Sequence, residues 1–309
     1  LADSTGGLYD LDGRAAPRGG EVTRFLVEPR QLVFGQPVEA ARGIEHYMCV
    51  NADDVRRGMI DGVAAIRREV IQFGSAAAKE CLEYVLEMEA GASPITFQGG
   101  LKRDCDAAGN LRTDRRTAEH YYRPRLGMRL ADFLALPVSR DCALEEAEVA
   151  GIRLYSTAAY TFINNPLRDQ RRMRGEPHPL PITVAFIRAG IGKLRAIGAM
   201  SEAANAHVQP PTRTEPRLYR PSTHAGRSLR HQVDLYRGMK DVVSPGDFLK
   251  KGGTELAPMS TTYDLKVAMQ YSASPQAVLL RLVTEDFMTR GPDISFLSAF
   301  PAESEYLFP

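Results

Sequence analysis

The sequence has 309 residues, of which 44% are hydrophobic and 25% are charged, a composition typical of a globular protein with one or two domains. With 39 basic and 38 acidic side chains the net charge is +1, which excludes a global field that would recruit nucleic acid or an anionic membrane. We therefore expect no nucleic-acid partner and no membrane partner for this stretch of sequence.

The cysteines are spaced too widely for a zinc site or a redox dithiol, so we expect no metal. They are Cys49, Cys81, Cys105 and Cys142. They also do not make a disulfide framework, which slightly favours a reducing compartment such as the cytoplasm over secretion. No apolar run reaches the roughly 20 residues that span a bilayer, and the start does not resemble a signal peptide. We expect a soluble protein, and the sequence leaves its compartment and oligomeric state open.

Residues 1–142 are predicted to form an N-terminal region that is mainly helical and whose role is open. Residues 1–39 mix Gly, Pro and Arg with short apolar pieces, which indicates loops and short strands. Asn51 is expected to cap an amphipathic helix. Its apolar positions are Val55, Met59, Val63, Ile66 and Val70. A second helix is expected from Ser75 to about Ala90, and the polar segment from Ala92 to Pro137 is predicted to be a loop.

Residues 143–309 are predicted to form a second domain in which strands follow helices. Two helices, at about 143–164 and 180–199, are expected to flank a basic turn at 168–174. Four prolines between residues 209 and 230 exclude a regular element there. Beyond them the pattern predicts a helix at about 264–272 and strands at 233–237, 277–283, 294–300 and 303–308. This mixture predicts an α+β fold.

The first chemically suggestive block ends the strand predicted at 233–237. Side chains alternate along a strand, so Arg237 shares a face with Val233 and Leu235 and is directed toward the core. A guanidinium in that position favours a phosphate or carboxylate partner, because its fork of donors matches two oxygens at once. Gly238 follows it and would let a ligand approach the backbone closely.

The second block is the row of hydroxyls Ser260, Thr261 and Thr262, placed just ahead of a predicted helix. Helix capping by Thr261 together with Asp264 would explain one of these hydroxyls. Capping does not require all three hydroxyls.

The third block contains two carboxylates, Glu303 and Glu305, separated by one residue. On a strand they would lie on the same face, roughly 6.5 Å apart along the chain. Two like charges so close together are stable if they are solvated or if a cationic group lies between them. For the pair alone, an exposed edge strand is as good an interpretation as a catalytic site.

Together the three blocks resemble the arginine, Ser-Thr-Ser and Glu-x-Glu motifs of the R-S-E, or cholera-toxin-like, class of mono-ADP-ribosyltransferases. Thr262 stands where this family usually has serine, which keeps the hydroxyl. The stretch from Tyr155 to Arg168 is similar to the helix that opens many domains of the family. Its Tyr155, Ala159 and Ile163 have the spacing of one buried helix face, so packing alone would account for them. The resemblance covers residues 145–309.

The resemblance implies a core of two packed, mostly antiparallel sheets with flanking helices. It also implies NAD as substrate, with Glu305 stabilising the cation that forms when the nicotinamide bond breaks. Ser260 would position Glu305, and Arg237 would hold NAD through phosphate or ribose. The remaining residues expected to seat NAD are Tyr236, Gly238, Thr261 and Thr262.

The same resemblance makes Glu303 the residue that selects the acceptor. Glutamate at this position goes with family members that modify arginine, which implies a protein partner that presents an arginine. A carboxylate can orient a guanidinium and take its proton. Phe300 is the best candidate for contact with this partner, with core packing as an equal alternative. Tyr271 could stack on nicotinamide, although core packing is the better explanation.

Two other functions remain open on the sequence. The same site could act as an NAD glycohydrolase with water as the acceptor, because the cation-forming step is shared. The domain could also be catalytically inactive and bind only a nucleotide or a protein partner, with the N-terminal region supplying the activity.

Overall fold

The computed structural model describes residues 32–33, 36–37, 48–87, 127–169, 175–205, 233–242, 255, 257–284 and 290–308. These residues combine helices with a small antiparallel sheet, which confirms the expected α+β class. None of the helices within these ranges is long and apolar enough to cross a membrane. The proline-rich connector at 209–230 and most of the basic turn at 168–174 lie outside the described residues.

Up to residue 87, the described part of the N-terminal region contains a short hairpin and three helices. The hairpin pairs β1 (Leu32–Val33) with β2 (Gln36–Pro37), and the helices are α1 (Ala52–Met59), α2 (Val63–Phe73) and α3 (Ala76–Glu87). Asn51 caps α1 as expected, because its Oδ1 accepts hydrogen bonds from the backbone of Asp53 and Asp54. The expected continuous helix is divided into α1 and α2, since Gly62 adopts a φ of 54° between them.

Two one-turn helices, α4 (Leu130–Leu134) and α5 (Pro137–Asp141), follow. The first lies inside the segment predicted to be a loop, so that prediction is wrong for its end. Leu130 and Phe133 are both buried from one face of α4, and Asp132 accepts a hydrogen bond from the backbone of Arg129 at 2.8 Å. A single turn is too short to give a periodic apolar pattern in the sequence.

The helix expected at 143–164 is two helices, α6 (Glu146–Tyr155) and α7 (Tyr160–Arg168). The break follows from Ser156 and Thr157, whose hydroxyls donate to the carbonyls of Arg153 and Leu154. Tyr155 and Ile163 are buried on either side of this break, as expected from their spacing. The next helix, α8 (Pro181–Asn205), begins where expected and runs six residues beyond its predicted end at 199.

The sheet has four antiparallel strands in the order β5-β3-β4-β6. Their bounds are β3 Val233–Lys240, β4 Met259–Thr262, β5 Ala277–Thr284 and β6 Glu305–Phe308, with helix α9 (Leu265–Tyr271) between β4 and β5. β3 pairs with β5, and β4 with β6, along their full lengths. Among the described residues β3 and β4 pair at one position, Tyr236 with Thr262, so the sheet consists of two strand pairs joined at a single point.

Near the end of the chain the strand predicted at 294–300 is wrong, and the strand predicted at 303–308 is confirmed with a later start, as β6. Residues 294–300 form turns, with the backbone N–H groups of Leu297 and Ser298 donating to the Ile294 carbonyl. The last strand begins at Glu305 because Pro301–Glu303 forms a 3₁₀ turn and Ser304 adopts a φ of 51°. Left-handed backbone at Ser304 breaks the two-residue alternation, so Glu303 and Glu305 do not share a strand face.

One hydrophobic cluster joins the helices to β6 and to the turn that precedes it. It contains buried side chains from α2, α3, α6, α7 and α8, and also Leu297, Ala299, Phe300 and Leu307. Buried Arg153 connects these parts, because its Nη1 donates to the Leu297 carbonyl at 2.8 Å and its guanidinium lies 3.6 Å from the centre of the Phe133 ring. Side chains on both sides of the expected boundary at 142/143 contribute to this cluster, and the boundary itself stays a prediction.

Candidate active site

Glu305 is the first residue of β6 and is only 7% exposed. Each of its carboxylate oxygens accepts a hydrogen bond from a serine: Ser260 Oγ donates to Oε1 at 2.6 Å and Ser298 Oγ donates to Oε2 at 3.0 Å. Burial raises the pKa of Glu305, while these two hydrogen bonds and the charge of Arg237 act in the opposite direction. The site therefore contains a carboxylate with a fixed orientation and little water around it.

Arg237 links β3 to the hydroxyl block on β4. Its Nη1 donates to the Ser260 carbonyl at 2.6 Å, across the opening between the two strand pairs. Its Nε is buried and has no hydrogen-bond partner among the described residues. Burial, followed by the charge of Arg168, lowers the pKa of Arg237. The Ser260 backbone and side chain thus join Arg237 to Glu305, so three predicted site residues belong to one network.

A second buried guanidinium lies near this network. Arg168, the last residue of α7, forms a two-point ion pair with Glu255, at 2.8 Å and 3.1 Å, and both side chains are under a tenth exposed. Tyr155 lies beside it and donates from its hydroxyl to the Pro258 carbonyl, which also accepts from Asn164. Burial raises the pKa of Tyr155 to about 12, so its hydroxyl stays protonated. The two guanidinium groups thus lie near two carboxylates, with Glu255 paired to Arg168 and Glu305 in the network of Arg237.

Tyr236, Thr262 and Glu305 stand directly opposite one another across β3, β4 and β6. Cross-strand partners have Cβ atoms roughly 4.5–5.5 Å apart, so Tyr236 adjoins the hydroxyl block. Gly238, two residues along β3, lies against α9: a Cβ atom there would be 1.8 Å from the Ala268 carbonyl oxygen. Packing of this helix on the sheet therefore requires glycine at position 238.

The three hydroxyls of the second block lie on β4 and have separate partners. Thr262 Oγ1 donates to the Glu303 carbonyl at 2.6 Å and accepts from the Asp264 backbone N–H. Thr261 Oγ1 donates to the Tyr306 carbonyl, on the neighbouring strand. The helix cap expected from Thr261 is instead supplied by Asp264, whose side chain accepts from the backbone of Lys266. A strand rather than a loop ahead of α9 explains why none of the three caps it.

Glu303 lies outside the strand, in the 3₁₀ turn, and is partly exposed. Its carboxylate accepts a hydrogen bond from the Tyr271 hydroxyl at 2.6 Å. Phe300, the candidate for partner contact, is 8% exposed and belongs to the hydrophobic cluster. Core packing, the alternative given for Phe300, is the arrangement observed.

Three contacts of this site were missed by sequence reasoning. Ser298 was assigned to a strand, and its hydroxyl instead supports Glu305 from a turn. The Tyr271–Glu303 contact joins residues 32 positions apart, and no spacing rule connects them. Arg168 was assigned to a solvated basic turn, and the only hint of its burial was its place one residue after the apolar face of α7.

Comparisons of the chain with protein-family models, with curated proteins and with solved structures gave no match. The geometry itself is suited to one kind of chemistry. A buried, oriented carboxylate can stabilise a cation that forms beside it, and two guanidinium groups can hold an anionic part of the same molecule. A second carboxylate lies nearby in sequence but on a partly exposed turn.

Proposed function

We propose that this protein transfers ADP-ribose from NAD to arginine side chains of a target protein and releases nicotinamide. The observation that carries this proposal is Glu305, buried and held by Ser260 and Ser298 beside Arg237. We further propose that the fold is the ADP-ribosyltransferase core of two packed, mostly antiparallel sheets. Support comes from the division of the described sheet into two strand pairs joined at one position.

The guanidinium groups fit the pyrophosphate of NAD. The buried Nε of Arg237 has no partner among the described residues, and burying a charged donor without an acceptor is costly. A phosphate oxygen would supply that acceptor. Arg168 is close enough to depress the pKa of Arg237, so two guanidinium groups converge on one region, where Glu255 pairs with Arg168.

In the proposed reaction the bond between nicotinamide nitrogen and ribose carbon breaks, and its electron pair leaves with nicotinamide. The ribose carbon becomes cationic, and Glu305 stabilises that charge through a fixed carboxylate in a water-poor site. A guanidinium nitrogen of the target arginine then forms the new bond to this carbon and loses a proton. Glu303 takes that proton and passes it to solvent. Its position on a partly exposed turn suits a group that receives a second protein.

The test uses purified protein with NAD and agmatine, a small guanidine that stands in for the target arginine. Nicotinamide is measured by chromatography and the ADP-ribosyl product by mass spectrometry. Glu305→Gln keeps the shape of the side chain and removes its charge. We expect nicotinamide release to fall by about 10²–10³-fold, the scale found when one preorganised electrostatic group is lost. Release that survives this change overturns the proposal.

Glu303→Gln separates the two halves of the reaction. We expect product formation with agmatine to fall by about 10²–10⁴-fold, the usual contribution of a general base, while nicotinamide release without agmatine persists. The matched control is Glu83→Gln on the exposed face of α3, which should leave both rates unchanged. Nicotinamide release without any guanidine product, in the wild type, would instead make the protein an NAD glycohydrolase.

A further inference from the structure

Resting on the proposed function, we propose that Tyr271 is a positioning residue that orients Glu303 toward the acceptor guanidine. The proposed role belongs to its hydroxyl group, and the aromatic ring serves only to place that hydroxyl. Tyr271 therefore decides how much of the ADP-ribose reaches arginine rather than water. It has no part in breaking the nicotinamide bond.

The contact is short and joins two parts of the site. Tyr271 is the last residue of α9, and its hydroxyl donates to Glu303 Oε1 at 2.6 Å. This distance is typical of an O–H group bonded to an ionised carboxylate, the stronger class of hydrogen bond. Helix α9 is itself fixed on β3 by the close approach of the Ala268 carbonyl to Gly238. The hydroxyl that contacts Glu303 thus belongs to a helix that packs closely on the sheet.

The backbone around Glu303 does less to orient its carboxylate than the strand does for Glu305. Glu305 begins a strand and is buried, whereas Glu303 ends a 3₁₀ turn, is partly exposed and precedes left-handed Ser304. Holding a glutamate side chain in one rotamer costs side-chain entropy when an acceptor binds. A hydrogen bond made before the acceptor arrives removes part of that cost.

The main chain of Glu303 has a tether of its own. Thr262 Oγ1 donates to the Glu303 carbonyl at 2.6 Å, and the same hydroxyl accepts from the Asp264 backbone at 3.0 Å, which fixes its direction. The segment from Thr262 to Tyr271 therefore holds Glu303 at two points, the carbonyl at one end and the carboxylate at the other. These two hydrogen bonds from one segment connect the turn to the hydroxyl block.

The experiment removes only the hydroxyl, with Tyr271→Phe. Product formation from NAD and agmatine should fall by about 10–100-fold, the effect expected from losing one hydrogen bond to a charged group. Nicotinamide release without agmatine should stay within about twofold of wild type, because Glu305 and its serines are untouched. The agmatine KM should rise while the NAD KM stays constant. A merely structural role would not divide the two rates in this way.

Tyr263→Phe is the matched control. Tyr263 also approaches this turn, where its hydroxyl accepts a hydrogen bond from Ser304 Oγ at 3.0 Å. Both rates should match wild type. In the double variant Tyr271→Phe with Glu303→Gln, product formation should equal that of Glu303→Gln alone, because the two changes act through one carboxylate.

Two results would overturn the inference while leaving the proposed function intact. One is a Tyr271→Phe protein that modifies agmatine at the wild-type rate. The other is equal loss of nicotinamide release and product formation, which would assign Tyr271 to the NAD half of the site. A wild-type protein that releases no nicotinamide at all overturns the proposed function and this inference together.

Discussion

Two buried carboxylates, one in the helical region and one in the sheet, have the same exposure and different surroundings. Glu69 on α2 and Glu305 on β6 are each 7% exposed, and burial raises the pKa of both. Glu69 lies at the start of α8, where it accepts hydrogen bonds from the backbone of Ile182 and Thr183 and from the Thr183 hydroxyl. Among the described residues, the Glu305 carboxylate accepts from two serine hydroxyls.

The difference lies in what each set of donors can do. A backbone N–H only donates, so the N-terminus of α8 requires an acceptor and its dipole favours a negative one. A serine hydroxyl can donate or accept by rotating. Glu69 therefore has a partner set that only a carboxylate satisfies, whereas Glu305 could be replaced by a neutral side chain without loss of hydrogen bonds. A buried charge that the hydrogen bonds do not require supports the proposed catalytic role of Glu305.

The largest effect on stability is expected for Glu69→Gln. The amide has one acceptor oxygen, so its NH₂ group meets a backbone N–H of Ile182 or Thr183 and leaves that buried donor without an acceptor. We expect a loss of about 1–3 kcal/mol in the free energy of unfolding, measured by urea denaturation. Nicotinamide release by the folded fraction should be unchanged. Exposed Glu83→Gln is the reference, and equal stability of the two variants would contradict this account of Glu69.

Glu305→Gln should instead increase the stability of the folded protein. A folded-state pKa above the ordinary value of about 4.3 means that the folded protein favours the protonated carboxyl, so ionisation costs stability as pH rises through the folded pKa. The variant, which cannot ionise, should therefore melt above wild type at pH 7. The difference should shrink as pH falls below about 4, where Glu305 becomes protonated in the unfolded state as well. Thermal melts across this range test it, and a variant less stable than wild type at pH 7 would refute it.

The sequence predicted which residues form the site better than it predicted how they are arranged. The residue types and order of Arg237, Ser260 and Glu305 were enough to expect a network, and the structure joins them through hydrogen bonds. The prediction of a shared strand face for Glu303 and Glu305 was wrong. It depended on strict alternation, and left-handed backbone at a serine, which Ser304 adopts, has no signature in residue type.

Helical segments were predicted where one apolar face repeats over several turns, as in α3 and α8. The break inside the helix expected at 143–164 was not predicted. Ser156 and Thr157 can either continue a helix or bond to its carbonyls, and packing decides between these states. The turn at 294–300 was predicted as a strand because a short run of apolar residues is found both in buried strands and in buried turns. Ile294, Leu297 and Ala299 are buried through contacts with distant helices, which no local pattern contains.

The smallest and most specific effect is expected for Ser298→Ala. Ser298 donates to Glu305 at 3.0 Å and so favours the ionised carboxylate; without it the pKa of Glu305 should rise further. The acid limb of the pH profile for nicotinamide release should move to higher pH, while the rate on the alkaline plateau stays within a few fold of wild type. The control is Ser139→Ala, since Ser139 is equally buried and donates to the Phe133 carbonyl rather than to Glu305. That variant should lose stability with an unshifted profile. An acid limb that moves in both variants would mean that general loosening of the fold, and not the Ser298 hydroxyl, sets the protonation of Glu305.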